Sequence, residues 1–407
     1  MTDRADVIVV GASLVAPALC LSLARAGVRP LLLDTRPPEY SLRDPRPLAL
    51  AQSSVRILTT LGVWPALAET AEAINSIHVS ERGRFGKVRM RARDCGVEAF
   101  GYVVNAGDVA QALARQLEAE SAVVARHHVD HLDWHGDVAE ARLTGSVMTD
   151  PARAVRSFSA ALLVATELGP DGIGGLTIDI REHDYQQVAI ACAPRVGRAH
   201  AGVAYERFTR EGPLALLPLP EGRAGLVWTL APEAGARVHA LSDDEFCDAL
   251  TRAAGHWLAP FSDPGQRGMF PLRLRTGVLQ DHSARALLLG GAAVQLHPVA
   301  GQGLNLALRD VATLADLVAG VSRDGSDLGD KTLRGQFERA RRADRGRVRA
   351  ATDVLAQSFV RDWPGLRLAR GLSMTALGLA PGLKSRFASA AMGLAAPQSR
   401  LLRGLNP

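Results

Sequence analysis

Apolar and polar positions along the chain follow three rhythms, and each predicts a different kind of element. Short all-apolar runs at residues 7–10, 30–33, 161–165 and 287–289 are bounded by glycine or polar residues. Such runs are the mark of strands buried on both faces. Alternation at 188–193 and 225–230 predicts strands of an antiparallel sheet, with Pro218 and Pro220 near an edge or turn. A helical rhythm runs from about residue 15 to Gly27, and another starts near Leu304 and continues to Asp316.

The first of these elements form a unit. A strand at 7–10, a glycine turn, a helix, a strand at 30–33 and then Asp34 make the opening βαβ of a dinucleotide-binding domain. Where G-x-G-x-x-G is wanted, the chain carries Gly11, Ala12, Ser13, Leu14, Val15 and Ala16. Ala16 is tolerated at the last position, but Ser13 puts a Cβ and a hydroxyl where the middle glycine lets backbone approach a pyrophosphate. Pro17 falls in the first turns of the helix, where its missing N–H does least harm. Asp34 stands where it accepts from ribose hydroxyls. Late in the chain, the strand at 287–289 breaks at Gly290 and Gly291, passes through a loop at 295–303 and enters the second helix. Gly301 and Gly303 bracket Gln302 at that helix start, leaving N–H groups unpaired and without Cβ shielding, an end suited to an anionic or carbonyl-bearing ligand.

Composition narrows the class. The 407 residues suffice for two domains with sizeable cores, and 47% hydrophobic with 22% charged residues describes an ordinary folded chain. Net charge is +5, yet no basic stripe with interleaved aromatics is present, which argues against a nucleic-acid partner. The densest basic run, 339–349 (RARRADRGRVR), predicts a solvated helix face. Four cysteines without a C-x-x-C pair (Cys20, Cys95, Cys192, Cys247) predict reduced, mostly buried thiols in a cytoplasmic protein. No basic n-region with a cleavage site follows Met1, and no apolar run reaches the roughly 18 residues that span a bilayer. Membrane contact is therefore expected to be peripheral. Residues 126–137 (RHHVDHLDWHGD) hold His127, His128, His131 and His135 with Asp130 and Asp133, but Val129, Leu132 and Trp134 are not placed to close a tetrahedral shell. A solvated hairpin without metal is expected there. The tail, 353–405, alternates helical stretches with Gly-Pro breaks. Its leucines (Leu366, Leu368, Leu372, Leu377, Leu379, Leu383), Met374 and basic residues Arg367, Arg370, Lys384 and Arg386 suit equally a helix packed on the core and a patch for a membrane or partner.

The motifs then point to a family. LHPVAGQGLNLALRD at 296–310, DPRPLALAQSSVRILTTLGVW at 44–64, IHVSERG at 77–83, GYVV at 101–104 and HDYQQVAI with GVAYERFTREGPLALLPLPEGRAGLVWTL across 183–230 fall in one order. That order resembles the ubiquinone-biosynthesis branch of the FAD-dependent aromatic hydroxylases, the 2-octaprenyl-6-methoxyphenol hydroxylases and their relatives, over nearly the whole chain. The resemblance implies an α/β fold: a discontinuous Rossmann-like FAD-binding domain (1–75, 105–180 and 268–330), an antiparallel β-sheet substrate domain (76–104 and 181–267) and a C-terminal helical region (331–407). It implies FAD as cofactor, no metal and no separate nicotinamide domain, with a polyprenylated phenol or quinone intermediate as ligand. By the same resemblance Arg46 faces the flavin side of the site. The implied cofactor-binding set is Gly11, Ser13, Ala16, Asp34, Arg46, Gly291, Pro298, Gly301, Gln302, Gly303, Leu304 and Asn305, with no catalytic residue assigned.

Four positions depart from the family pattern. Ser13 replaces the middle glycine, Gly107 replaces a helix arginine that pairs with the cofactor phosphates, Glu167-Leu168 replaces an Asp-Gly turn, and Gly291 replaces a ribityl-binding Asp or Asn. A leucine makes a positive-φ turn only with strain. Losses of about 1–3 kcal/mol each would weaken FAD by several orders of magnitude if they added. The expectation is thus a homologue with weak or absent FAD binding and a non-catalytic role, binding a partner hydroxylase or other ubiquinone-biosynthesis proteins, peripheral at the inner membrane. The alternative is an active FAD-dependent monooxygenase hydroxylating a polyprenylated phenol. A quinone-carrying module outside that pathway rests on the tail alone.

Overall fold

The computed structural model describes residues 2–34, 42, 44–83, 87–120, 125–136, 140–147, 155–168, 172–281, 283–297, 301–358, 380–395 and 398–407. The predicted βαβ forms as expected: Val7–Val10 and Pro30–Asp34 are parallel neighbours, joined by the helix Val15–Arg25. Both strands are buried throughout, which is why their sequences are unbroken apolar runs rather than alternating ones. Leu162–Ala165 pairs parallel on the other side of Val7–Val10, and Ala286–Leu288 lies beyond it. On the opposite flank Ala125–Gly136 pairs parallel with Pro30–Asp34, then antiparallel with Ala141–Val147. The result is an eight-stranded sheet with a parallel centre, its α/β packing supplied by the helices Val15–Arg25, Ala106–Ala119 and Gln302–Arg323.

A second, ten-stranded sheet is antiparallel except where Val203–Phe208 runs parallel to Ser76–Glu81. Its long strands Ile178–Cys192 and Gly268–Leu279 pair over most of their length, with a register shift between Asp184 and Gln187. One face carries a compact core with Ile190, Cys192, Leu216, Leu226 and Trp228, covered by the helix Asp243–Ala254. That helix begins with a full capping box, Ser242 with Glu245. A small three-stranded sheet, Pro47–Ala51 with Gly101–Asn105 and Glu72–Ala73, lies between the two large ones. The pairing demands glycine at 101, where a Cβ would lie 2.1 Å from the Leu50 carbonyl oxygen.

The histidine-rich stretch is a hairpin strand, with Val129, Leu132 and Trp134 turned into the core. Among the described residues, no cluster of histidine, cysteine or carboxylate side chains is placed to hold a metal ion. The four cysteines are free thiols, three of them buried. Among the described residues, no helix is long and apolar enough to cross a membrane. Of the predicted tail surface, residues 366–379 lie outside the described residues.

The basic run meets its expectation in part. Residues 339–349 belong to the long helix Lys331–Ser358, and Arg339, Arg342, Arg347 and Arg349 are exposed on it, but Arg341 is buried. Its Nε donates to Asp310 and its Nη2 to Asp344, while Arg309 Nε also reaches Asp344 and Arg345 reaches Asp310. Arg341 and Arg345 are four residues apart and so share one side of the helix, which faces the helix Gln302–Arg323.

Candidate cofactor and substrate site

Three segments meet between the two large sheets: the turn after Val7–Val10, the strand Pro47–Ala51 and the start of the helix Gln302–Arg323. At the first, Gly11 has φ +144°, and a Cβ there would lie 2.3 Å from Thr166 Oγ1, because the strand Leu162–Ala165 continues directly over it. The helix that follows has no side-chain cap and no acidic residue in its first turn, so its end is open to an anion. Ala16 is fully buried beneath this turn. The Ser13 hydroxyl is buried with no hydrogen-bond partner among the described residues. An orphaned donor beside an uncapped helix end is what a phosphate oxygen would satisfy. Asp34, expected to contact the ribose, ends the neighbouring strand and is buried.

At the helix start, Gly301 is the N-cap residue in the left-handed region, φ +58°. Gly303 is different: a Cβ built there meets nothing within 4 Å. Gly291 is similar, with only the Thr166 carbonyl oxygen at 3.6 Å. Among the described residues, no atom requires glycine at 291 or 303, and both leave open the kind of space a ligand lying along the helix start would use. Gln302 and Leu304 are half-buried at the same end. Asn305 is buried and committed at both ends of its amide. Nδ2 donates to the Ala49 and Gly301 carbonyls, at 2.9 and 2.7 Å, and Oδ1 accepts from Ala51 N–H and Ser54 Oγ, at 2.8 and 2.7 Å. It thereby ties the strand Pro47–Ala51 to the helix start. Pro298 lies outside the described residues.

Arg46 pairs with the Asp44 carboxylate, its Nη2 2.6 Å from Oδ2, and its guanidinium lies 5.6 Å from the Phe270 ring centroid. Phe270 belongs to the ten-stranded sheet, so Arg46 stands at the border between cofactor groove and sheet. The sheet turns an unusual face to this border. Pairing registers align Val79, Glu206, Ala215, Val227, Ala191 and Gly268 in one row across it. Val79, Ala215, Leu217 and Val227 keep partial exposure, whereas Leu214, Leu216, Leu226 and Trp228 between them are buried under the opposite core. This partly exposed inward face, the cleft floor, is apolar with one carboxyl group, Glu206, and at Val79 and Leu217 it also packs against the cluster of Met90, Phe100 and Met392.

Two features were not assigned from sequence. Glu206 is one; His297 is the other, though it directly precedes Pro298 in the quoted motif. His297 is buried, with Nε2 3.2 Å from Gln187 Oε1 and the Tyr185 ring edge-on at 5.0 Å. Burial lowers His297 to about 4, so it is neutral at pH 7. Tyr185 donates to Asp353 Oδ1 at 3.1 Å, and burial together with that carboxylate raises its pKa.

The departures from the family pattern have a structural form. A Cβ at Gly107 would lie 2.7 Å from the Leu42 carbonyl oxygen, and Gly107 N–H donates to the Asp44 carbonyl. An arginine there would have to displace that segment. Leu168 is not in the left-handed region, and it packs in the core beside Val10 and Phe158. The turn is rebuilt without strain at that residue.

This architecture is that of solved FAD-dependent monooxygenases. The p-nitrophenol 4-monooxygenase PnpA from Pseudomonas putida superposes with a TM-score of 0.77 over 98% of this chain and 100% of its own, at 17% identity. PqsL from Pseudomonas aeruginosa, a probable FAD-dependent monooxygenase, does so with a TM-score of 0.73 over 91% of this chain and 100% of its own, at 16% identity. At the sequence level, the FAD binding domain family matches residues 4–344. The ubiquinone hydroxylase UbiL of Rhodospirillum rubrum is 32% identical over 98% of this chain and 93% of its own. The 3-demethoxyubiquinol 3-hydroxylase of Escherichia coli is 28% identical over 97% and 100%. The chain belongs to the ubiquinone-biosynthesis FAD-dependent hydroxylase family.

Proposed function

We propose that this chain is a working FAD-dependent hydroxylase of ubiquinone biosynthesis, acting on the ring of a polyprenylated phenol. The observation that carries this reading is the open space left by the described residues at Gly291 and Gly303, beside the helix start that Asn305 ties to the strand Pro47–Ala51. When bound, FAD supplies the redox chemistry, and in its reduced form it activates O₂ for insertion of one oxygen atom into an electron-rich ring.

The protein's own residues then bind, orient and exclude water. Gly11, Ser13 and Ala16 hold the turn that receives the pyrophosphate on the open end of Val15–Arg25, with the Ser13 hydroxyl as a donor in place of a close backbone approach. Asp34 accepts from the ribose. Gly291, Gly301, Gln302, Gly303 and Leu304 bound the groove for the other end, and Asn305 fixes its shape. Arg46 stands where groove and cleft join. The apolar floor takes the ring and the beginning of a prenyl chain, whose burial contributes about 0.8 kcal/mol per CH₂.

One observation favours a second reading, a non-catalytic relative that binds a partner hydroxylase: the site of the family's phosphate-pairing arginine is covered by backbone at Leu42 and Asp44. The visible spectrum decides between them. A stoichiometric flavin spectrum that survives gel filtration, with O₂-dependent turnover of a prenylated phenol, is expected. A protein that stays colourless in excess FAD would transfer the assignment to the partner-binding role, and co-purification would then identify the partner.

A further inference from the structure

Glu206 sits in the cleft floor between Val79 and Ala215, neither of which offers it a polar contact. Among the described residues no hydrogen bond or ion pair to its carboxyl exists, and burial alone shifts it. The strand's neighbouring residues are used differently. Tyr205 stacks on Trp257, and Arg207 lies 5.0 Å from the same ring, both on the opposite side of the sheet. His78, paired with Arg89, and Ser80, paired with Lys87, turn to that side too. On the same side of the sheet, charged groups among the described residues include Glu81, two residues further along the same strand pair, and Arg46 with its partner Asp44 by Phe270, four strands away. Lys384, on the helix Pro381–Ala391, lies near Cys95. Glu206 is therefore a partly exposed carboxyl flanked by apolar side chains and without a polar partner among the described residues.

A carboxylate placed this way costs stability unless something binds it. We infer that Glu206 is a catalytic residue, accepting a hydrogen bond from the hydroxyl of a neutral phenol and taking its proton as the ring is oxidised. This rests on the hydroxylase reading above. The phenolic O–H bond breaks, its proton passes to a Glu206 carboxylate oxygen, and the electron pair remains on the phenol oxygen, from which it is delocalised to the ring carbons ortho and para. The step consumes no oxidant; the oxygen atom is delivered by the family reaction. Desolvation raises Glu206 to about 7, so at neutral pH it is ionised in a large share of molecules and able to act as a base. A free phenol titrates near 10, which leaves the resting proton on the phenol by about a thousandfold. Transfer is thus coupled to attack on the ring, when the hydroxyl becomes far more acidic. The same carboxylate sets specificity: a phenol with an apolar chain is admitted, and an aromatic acid is repelled.

The test uses the full chain and two probes, 4-hexylphenol and 4-hexylbenzoate, with binding read by equilibrium dialysis and turnover read on the FAD-loaded protein. Glu206→Gln is expected to bind 4-hexylphenol about tenfold more weakly than wild type, the loss of one charge-assisted bond, and to bind 4-hexylbenzoate about tenfold more tightly. In turnover, kcat/KM of wild type should fall below about pH 7, whereas in Glu206→Gln it should be lower by about 10²–10⁴ and lack that acid limb. Glu206→Ala, matching the small neighbours Ala204 and Ala215, gives the same binding comparison if the glutamine variant folds poorly. Unchanged affinity for both probes would overturn the inference even with turnover intact. A changed binding pattern in a protein that never turns over would instead overturn the hydroxylase reading and the proton-taking step with it.

Discussion

Gly291 is a glycine that no neighbour requires: its φ is not in the left-handed region, and a Cβ there has the Thr166 carbonyl oxygen at 3.6 Å as its one near contact. Gly291→Asp should therefore fold normally and supply a ribityl-side acceptor. FAD is expected to bind about 5- to 150-fold more tightly, the equivalent of one hydrogen bond to a charged group. A flavin-fluorescence titration with unchanged Kd would show that the ribityl chain does not pass residue 291. His297 carries a pH dependence. Its pKa is lowered from 6.5 to about 4, so the folded chain favours the neutral ring. The stability that follows is whole above pH 6.5 and lost as pH falls toward 4, by about 3 kcal/mol in all. Urea denaturation at pH 7 and pH 4.5 should show this loss in wild type and a smaller one in His297→Gln. Sequence alone marked Asn305 as a motif match. It did not reveal that both ends of the amide are taken, because residues 49, 51 and 54 come from some 250 positions away. Glu206 was hidden for a related reason. Within YERF it reads as an ordinary strand residue, and only the row from Val79 to Gly268 shows how isolated its charge is.

At the scale of elements, the helix pair Gln302–Arg323 and Lys331–Ser358 is clamped by Asp310 and Asp344 against Arg309, Arg341 and Arg345. Asp310 is fully buried and Arg341 nearly so. Asp310→Ala leaves Arg309, Arg341 and Arg345 with Asp344 as their remaining partner in this cluster, an excess of buried positive charge, and should destabilise the chain by about 3–5 kcal/mol. A loss under about 1 kcal/mol in chemical denaturation would mean that the arginines find water or another acid. The density of the arginine run concealed this clamp: a stretch with six arginines in eleven residues looks solvated from any side until the facing helix is known. The short strands and the two helix starts were readable, since each has a local cause in apolar runs and glycines. The three-stranded sheet was not, because Pro47–Ala51, Glu72–Ala73 and Gly101–Asn105 are joined only through distant pairing.

At the scale of the molecule, the order of motifs was enough to place the chain in its family and fold, since the parallel strands and the antiparallel sheet each leave their own rhythm. What the four departures do was not readable in the same way. Gly107 and Leu168 look like simple losses in sequence, yet the structure fills one position with the Leu42–Asp44 backbone and packs the other into the core.

The strand Pro47–Ala51 has one further consequence. At one end Ala49 meets Gly301 and accepts from Asn305; at the other Pro47 presses on Gly225, where a Cβ would lie 2.5 Å away. Two residues thus separate the helix start from the cleft floor, roughly 7 Å of extended chain. Under the proposed function, such a strut would let the cofactor and phenol sites share a coupling free energy. If it moves when either fills, then FAD tightens phenol binding by the same factor as phenol tightens FAD, and an occupied cleft would slow cofactor loss between turnovers.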